Sequence, residues 1–276
     1  MQLLVSTASV AEASAAIVGG ADLIDAKDPL AGALGAVSAR VLQEIHALVA
    51  GRCPVTAALG DAADEQVIEG SASAFAALGA TFVKVGFAGI SSAERAVVLA
   101  TAAVRGVRAG SDGNGGVVVV AYADADRVAS LAPAVLVNVA VRAGAAGVLL
   151  DTADKRGPGL RALVKPARLA AWVAEAHASG MLVALAGKLS ADDLPFARDA
   201  GADIAGVRGA ACEGGRTGRV TADRVRLLRS RSVRPDIAGL DHHQPWSALD
   251  VLTEARLNRR SPHAVGPRDP RGPSPR

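Results

Sequence analysis

The chain has 276 residues and a mass of 27.6 kDa, the length of one α/β barrel, which routinely runs to about 250 residues. Half of the residues are apolar and 21% are charged, which excludes intrinsic disorder over most of the length; aromatics make up only 3%, so the core must be built from Ala, Val, Leu and Ile. The net charge of +3 comes from an arginine-rich stretch that begins at Arg216, with no basic stripe interleaved with aromatics before it. That distribution excludes a nucleic-acid-binding body.

Taken in chain order, short apolar runs alternate with longer Ala-rich stretches of helical spacing. The runs are Leu3 to Ser6, Leu23 to Lys27, Val55 to Gly60, Phe82 to Gly86, Val117 to Ala123, Val148 to Asp151, Leu182 to Gly187 and Ile204 to Arg208. Each is rich in branched residues and flanked by Gly, Asp or Pro, as expected of parallel strands buried on both faces. Four of them follow one kind of junction: Gly20-Ala21-Asp22, Gly79-Ala80-Thr81, Gly144-Ala145-Ala146 and Gly201-Ala202-Asp203. A glycine there ends the preceding helix in the left-handed conformation. With a final helix from Ala222 to Arg229, the pattern predicts an α/β fold, an eight-stranded parallel (β/α)8 TIM barrel. A doubly wound open sheet is disfavoured, because Ser6-Thr7-Ala8-Ser9 follows the first strand where that fold carries a Gly-rich turn.

The catalytic barrel is expected over residues 1–230. An extension over 231–260 holds one short predicted helix, Ser247 to Leu257, anchored by Trp246. Residues 261–276 contain five prolines and no Leu, Ile or aromatic; they cannot bury enough apolar surface to offset ordering, and disorder is expected. Cys53 and Cys212 are the only cysteines, too few for a disulfide framework or zinc ribbon. No basic n-region opens the chain, and no apolar run is long enough to span a bilayer. A cytoplasmic protein with no membrane and no nucleic-acid partner is expected.

Of the 30 lysines and arginines only five are lysines: Lys27, Lys84, Lys155, Lys165 and Lys188. A chain that uses arginine for generic surface charge keeps lysine where a proton must be lost, which arginine cannot do. Lys27 ends the second strand, and alternation puts Asp25 and Lys27 on one face with Ile24 and Ala26 on the other. Lys84 lies inside the fourth strand, where an unpaired ammonium is costly unless it faces the barrel mouth or a partner. Asp151 closes the sixth strand, and Lys155 follows it. Clustered lysines of this kind support imine formation with a carbonyl substrate, because burial and neighbouring cations lower a lysine's pKa and free its amine. The plainer reading is that Lys27 and Lys84 form structural ion pairs with Asp25, Asp28 or Asp151.

The eighth strand runs into Arg208-Gly209-Ala210-Ala211-Cys212-Glu213-Gly214-Gly215-Arg216, and Ala186-Gly187-Lys188 follows the seventh. Barrels often bind a phosphate beyond these two strands, so Arg208, Gly209, Ala210 and Gly187 are candidate phosphate-binding residues; a mere turn is the alternative. Cys212 reads as a packing residue. Gly110 to Gly116 precedes a strand and is no dinucleotide fingerprint. Gly187-Lys188 lacks the Walker spacing. His46 and His177 have no second histidine at i+4, and His242-His243 is no designed metal site. Neither a metal nor a cofactor is expected.

The segments Leu4-Val5-Ser6, Gly19 to Pro29 and Gly32 to Ala36 resemble the (5-formylfuran-3-yl)methyl phosphate synthase family, also called 4-(hydroxymethyl)-2-furancarboxaldehyde-phosphate synthases. So do Val83-Lys84-Val85-Gly86, Ala121-Tyr122-Ala123-Asp124, Leu150 to Ala153 with Lys155, Leu185-Ala186-Gly187 and Gly206 to Cys212. The resemblance covers about residues 1 to 230 in order. It implies a barrel lyase that condenses two molecules of glyceraldehyde 3-phosphate, a small phosphorylated aldehyde. Lys27 would be the Schiff-base residue and Lys84 the proton acceptor, with Asp25, Asp151 and Lys155 also in the site. Lys188 and the extension past about Ser230 depart from the family pattern. The product would feed a methanofuran-type cofactor or a furan natural product. Two rivals stand beside this reading: another Schiff-base sugar-phosphate aldolase, and a non-catalytic barrel scaffold. A homo-oligomer is the default expectation for a barrel this short of aromatics.

Overall fold

The computed structural model describes residues 1–232; the predicted helix from Ser247 to Leu257 and the stretch from Ser261 to Arg276 lie outside the described residues. The chain alternates β1 (Gln2–Thr7), α1 (Val10–Val18), β2 (Leu23–Ala26), α2 (Ala39–Val49), β3 (Val55–Asp61), α3 (Glu65–Ala77), β4 (Phe82–Gly86) and α4 (Ala93–Gly110). It continues with β5 (Gly116–Tyr122), α5 (Pro133–Ala143), β6 (Gly147–Asp151), α6 (Leu160–Leu163), α7 (Pro166–Ala178), β7 (Leu182–Leu185), α8 (Leu194–Asp199) and β8 (Ile204–Val207). These eight strands form a closed parallel barrel in sequence order. A hairpin, β9 (Cys212–Glu213) and β10 (Arg219–Val220), then leads into α9 (Ala222–Ser232). That hairpin is absent from the sequence-based expectation, which read the stretch as a loop: two-residue strands are too short to show a period.

Side chains of period two divide the core into two parts. Leu4, Leu23, Ala58, Phe82, Val118, Val120, Leu149, Leu182 and Ile204 fill the barrel interior, while Val5, Ile24, Val83, Val85, Val119, Leu150 and Val207 pack outward against the helices. Few aromatics are needed because the helices approach closely. A Cβ on Gly106 of α4 would lie 2.2 Å from the carbonyl oxygen of Glu69 in α3, and one on Gly110 would lie 2.1 Å from that of Ser73. Backbone therefore meets backbone along this pair. No helix among the described residues is long and apolar enough to cross a membrane.

The junction glycines behave as expected: Gly20, Gly79, Gly144 and Gly201 all have φ between 72° and 93°. The aspartates that follow two of them add a second function. Asp22 accepts the N–H of Leu3 at 2.7 Å, and Asp203 accepts that of Val183 at 2.8 Å. Each carboxylate thus satisfies an amide at the start of the preceding strand, at the barrel's lower rim.

The barrel closes where β1 pairs with β8, from Gln2↔Ile204 to Val5↔Val207. Arg208, the next residue, seals this seam. Its guanidinium binds Glu12 of α1 through both carboxylate oxygens, at 2.5 and 3.0 Å, and donates to the carbonyls of Ser6, Arg216 and Gly218. Glu12 also accepts the N–H of Ala8. Both side chains are buried, so removal of one partner strands the other's charge. Glu12→Ala is expected to lower unfolding free energy by about 3–5 kcal/mol, with much of the loss recovered in Glu12→Met/Arg208→Met. Urea titrations of the three variants check this; a cost below about 1 kcal/mol for Glu12→Ala would show the pair to be solvated.

Candidate active site

Register decides which polar side chains meet. Ser6, Asp25 and Thr56 are partners on neighbouring β1, β2 and β3, and in a parallel sheet register partners point to the same side. All three face inward. Asp25 receives the hydroxyl of Ser6 at 2.7 Å on one oxygen and that of Thr56 at 2.8 Å on the other. The ammonium of Lys84, from β4, lies 2.5 Å from the same oxygen as Thr56. Burial opposes ionisation of Asp25, but the Lys84 and Lys27 ammoniums and the donated hydrogen bonds outweigh it and hold the carboxyl below the usual carboxylate range.

A second ion pair stands across the mouth. Lys155 Nζ lies 2.7 Å from Asp151 Oδ1, which also accepts the N–H of Thr152 at 2.7 Å. Burial again opposes charge on Asp151, and Lys155, Lys27 and the Thr152 amide prevail, keeping it ionised. Lys27 stands between the two pairs. It is buried, yet among the described residues its ammonium has no carboxylate within ion-pair distance and no hydrogen-bond acceptor. Burial, then the like charge of Lys84, push its pKa down to about 8, against the attraction of Asp151 and Asp25. Of the plainer ion-pair reading, the Lys84–Asp25 pair exists and the Lys27 pair does not.

The three lysines open onto one cavity of about 320 Å³. Its floor is apolar, with Leu4, Phe82, Leu149, Leu182 and Ile204; its rim carries Asp151, Gly187, Lys188, Arg208, Gly209, Ala210 and Arg216. Every sequence-predicted site residue lines this cavity except Asp25, which lies behind Lys84. Arg208 needs correcting. All five of its N–H groups are engaged by Glu12 and three carbonyls, so it shapes the loop that carries Gly209 and Ala210 and has no donor left for a phosphate. Among the described residues the amides of Gly209 and Ala210 have no backbone acceptor. Lys188 ties its loop across to Gly157, with Nζ 2.6 Å from that carbonyl. No three His, Cys, Asp or Glu side chains are grouped to hold a metal among the described residues.

Residues 3–229 match the model of the 4-HFC-P synthase family. The chain is 39% identical over 232 residues to the (5-formylfuran-3-yl)methyl phosphate synthase of Methanocaldococcus jannaschii, covering 83% of this chain and 98% of that one. It is 40% identical over 236 residues to the enzyme of the same name from Methanopyrus kandleri, covering 84% and 96%. This chain belongs to the 4-HFC-P synthase family. Among solved structures it is similar to a 3-hexulose-6-phosphate synthase, with a TM-score of 0.57 at 21% identity over 84% of this chain and all of that one; at that identity the likeness concerns the barrel alone.

Sequence reasoning missed several residues that build this cavity and its surroundings. Thr56 is the only polar residue between Val55 and Leu59, a signal that was there to use. Ser6 has the same inward phase as Leu4. Arg216 donates to the carbonyls of Pro29 and Gly32, holding the β2–α2 loop whose Leu34 enters the barrel mouth; nothing local in the sequence marks that contact. Glu12 likewise gains its meaning only from Arg208.

Lys27 gives the family member a testable pH signature. A pKa of about 8 in the fold against 10.5 in the unfolded chain means the native state binds fewer protons between these values. The charged amine therefore destabilises the fold fully below pH 8, and the penalty fades as pH rises toward the unfolded value. Lys27→Met is expected to raise stability near neutral pH by about 3 kcal/mol, shrinking toward zero above pH ~10. Urea denaturation across that range reads it; an unchanged or lowered stability at neutral pH would mean that the ammonium is already satisfied.

Proposed function

We propose that the chain makes (5-formylfuran-3-yl)methyl phosphate from two molecules of glyceraldehyde 3-phosphate through a Schiff base on Lys27. The observation that carries this reading is the buried ammonium of Lys27, unpaired among the described residues and set between two lysine–aspartate pairs in one cavity. Two triose phosphates equal one product, one inorganic phosphate and two waters, so a single site must perform condensation, elimination and dehydration. An amine with its pKa near 8 is partly neutral at physiological pH and can attack an aldehyde or ketone. Loss of water from the carbinolamine gives an imine, which makes the adjacent carbon acidic. Asp25 takes a proton from Lys84 as the Lys84 amine takes up the proton of that carbon, forming the enamine, which adds to the second aldehyde. Asp151 and Lys155 serve the remaining proton transfers of isomerisation and elimination.

The charge balance supports a phosphorylated substrate. Lys27, Lys84 and Lys155 face two aspartates, Lys188 on the rim donates to the Gly157 carbonyl, the Arg208–Glu12 pair is closed on itself, and Arg216 adds a cation that donates to the carbonyls of Pro29 and Gly32. The amides of Gly209 and Ala210 and the turn at Gly187 receive one phosphate. Both cysteines are free thiols in the structure, which suits the cytoplasmic setting we assign.

Purified protein given glyceraldehyde 3-phosphate alone should yield the furan aldehyde phosphate by mass spectrometry, with release of inorganic phosphate. Borohydride added during turnover should leave a reduced adduct on Lys27. Lys27→Arg is expected to lose both signals by at least about a thousandfold. Adduct formation with other sugar phosphates and no furan from glyceraldehyde 3-phosphate would point to a different Schiff-base aldolase. A folded protein that forms no adduct at all would favour a scaffold.

A further inference from the structure

The 3-10 turn Ala125–Val128 has Asp124 at its N-cap position, where an aspartate ordinarily caps its own turn. Here the side chain makes no such bond. It crosses instead to the loop after β6, accepting the N–H of Ala153 at 2.7 Å on Oδ1 and that of Asp154 at 2.9 Å on Oδ2. Asp154 in turn accepts the N–H of Arg156 at 2.9 Å and pairs with Arg127 at 3.0 Å. Lys155 lies inside this pinned turn, and the turn points its ammonium back onto Asp151 four residues earlier.

We propose that Asp124 is a positioning residue for the active site: by holding the amides of Ala153 and Asp154 it keeps Lys155 on Asp151 and so keeps Asp151 from pairing with Lys27. The role of Lys27 as nucleophile comes from the proposed function; the effect on its charge does not depend on turnover. Asp151 is the strongest attraction that Lys27 feels, ahead of Asp25, while Lys84 and Lys155 repel it. Arg216 faces Asp151 from the loop after β8, and Arg208 is neutralised by Glu12. On the Asp124 side, the hydroxyl of Tyr122 is bonded to Asp61 and Arg127 to Asp154. Release of the turn takes a repelling ammonium away from Lys27 and bares its attracting carboxylate. Both changes favour the protonated amine.

The test follows the titration of Lys27 by trace labelling with acetic anhydride across pH, read by peptide mass spectrometry on the full chain without substrate. Asp124→Ala should move the Lys27 midpoint up by about one unit, lowering labelling near neutral pH about tenfold while the high-pH plateau stays the same. Lys155→Met should cause the same shift, and Asp124→Ala on top of it should add nothing. A midpoint unmoved by Asp124→Ala, additive shifts in the double variant, or a uniform fall in labelling at every pH would overturn the proposal. Should Asp124→Ala fail to fold, Asp124→Asn keeps one acceptor and should show a smaller shift in the same direction; no shift there overturns it equally. Failure of the Schiff-base reading would appear elsewhere, as absence of a borohydride adduct in the unaltered chain whose Lys27 still titrates.

Discussion

Asp25 receives the hydroxyls of Ser6 and Thr56 and the ammonium of Lys84, and the chemistry of the site follows from how fully that carboxylate is engaged. A carboxylate on the same strand face as Lys27 would ordinarily take it as its ion-pair partner. Here three donors from three other strands occupy it, and Asp151 across the mouth is occupied by Lys155 and the Thr152 amide. The barrel thus buries two ionised carboxylates at low cost, each paired and hydrogen-bonded, and places the remaining amine at the cavity wall without an ion-pair partner among the described residues. A buried amine without an ion-pair partner among the described residues is a local loss of stability. The rest of the barrel must offset it.

That stability comes from an interior with few aromatics. Phe82 and Tyr122 are the aromatic side chains in the barrel lumen, and branched aliphatics and alanine fill the remainder. Outside the sheet, small residues let helix backbones touch, as Gly106 and Gly110 do on α3. Close approach of this sort gains dispersion contacts without large side chains. The buried ion pairs at the barrel mouth and the β1–β8 seam organise loops. Arg208 with Glu12 shapes the hairpin after β8, and Arg216 on that hairpin fixes the β2–α2 loop that follows Lys27. One continuous chain of contacts therefore runs from the closing seam to the loop beside Lys27.

The likeness to barrels of other activity at 21% identity or less belongs to this scaffold. The same layout explains why a loop such as 152–156 matters: its backbone is held by an acid from the preceding βα unit, so neighbouring units of the barrel contribute to one ion pair.

The sequence by itself determined the eight strands, their order and the left-handed glycine junctions, and it singled out five charged residues that the fold gathers around one cavity. Period-two alternation and strand-end glycines are local properties, and a chain with only five lysines makes each one conspicuous. Strand bounds differ from the expected ones by one or two residues, as at Lys27, which falls just beyond β2. Only the tertiary structure decided which charge meets which. Lys84 takes Asp25 and Lys155 takes Asp151 because register and loop path set distances that no sequence spacing encodes. Arg208 has the position and the residue type of a phosphate ligand, and its neighbour Glu12, 196 residues away in the chain, gave it another role. Such a pairing is invisible until the barrel closes, since the closing strand brings together the two ends of the described chain.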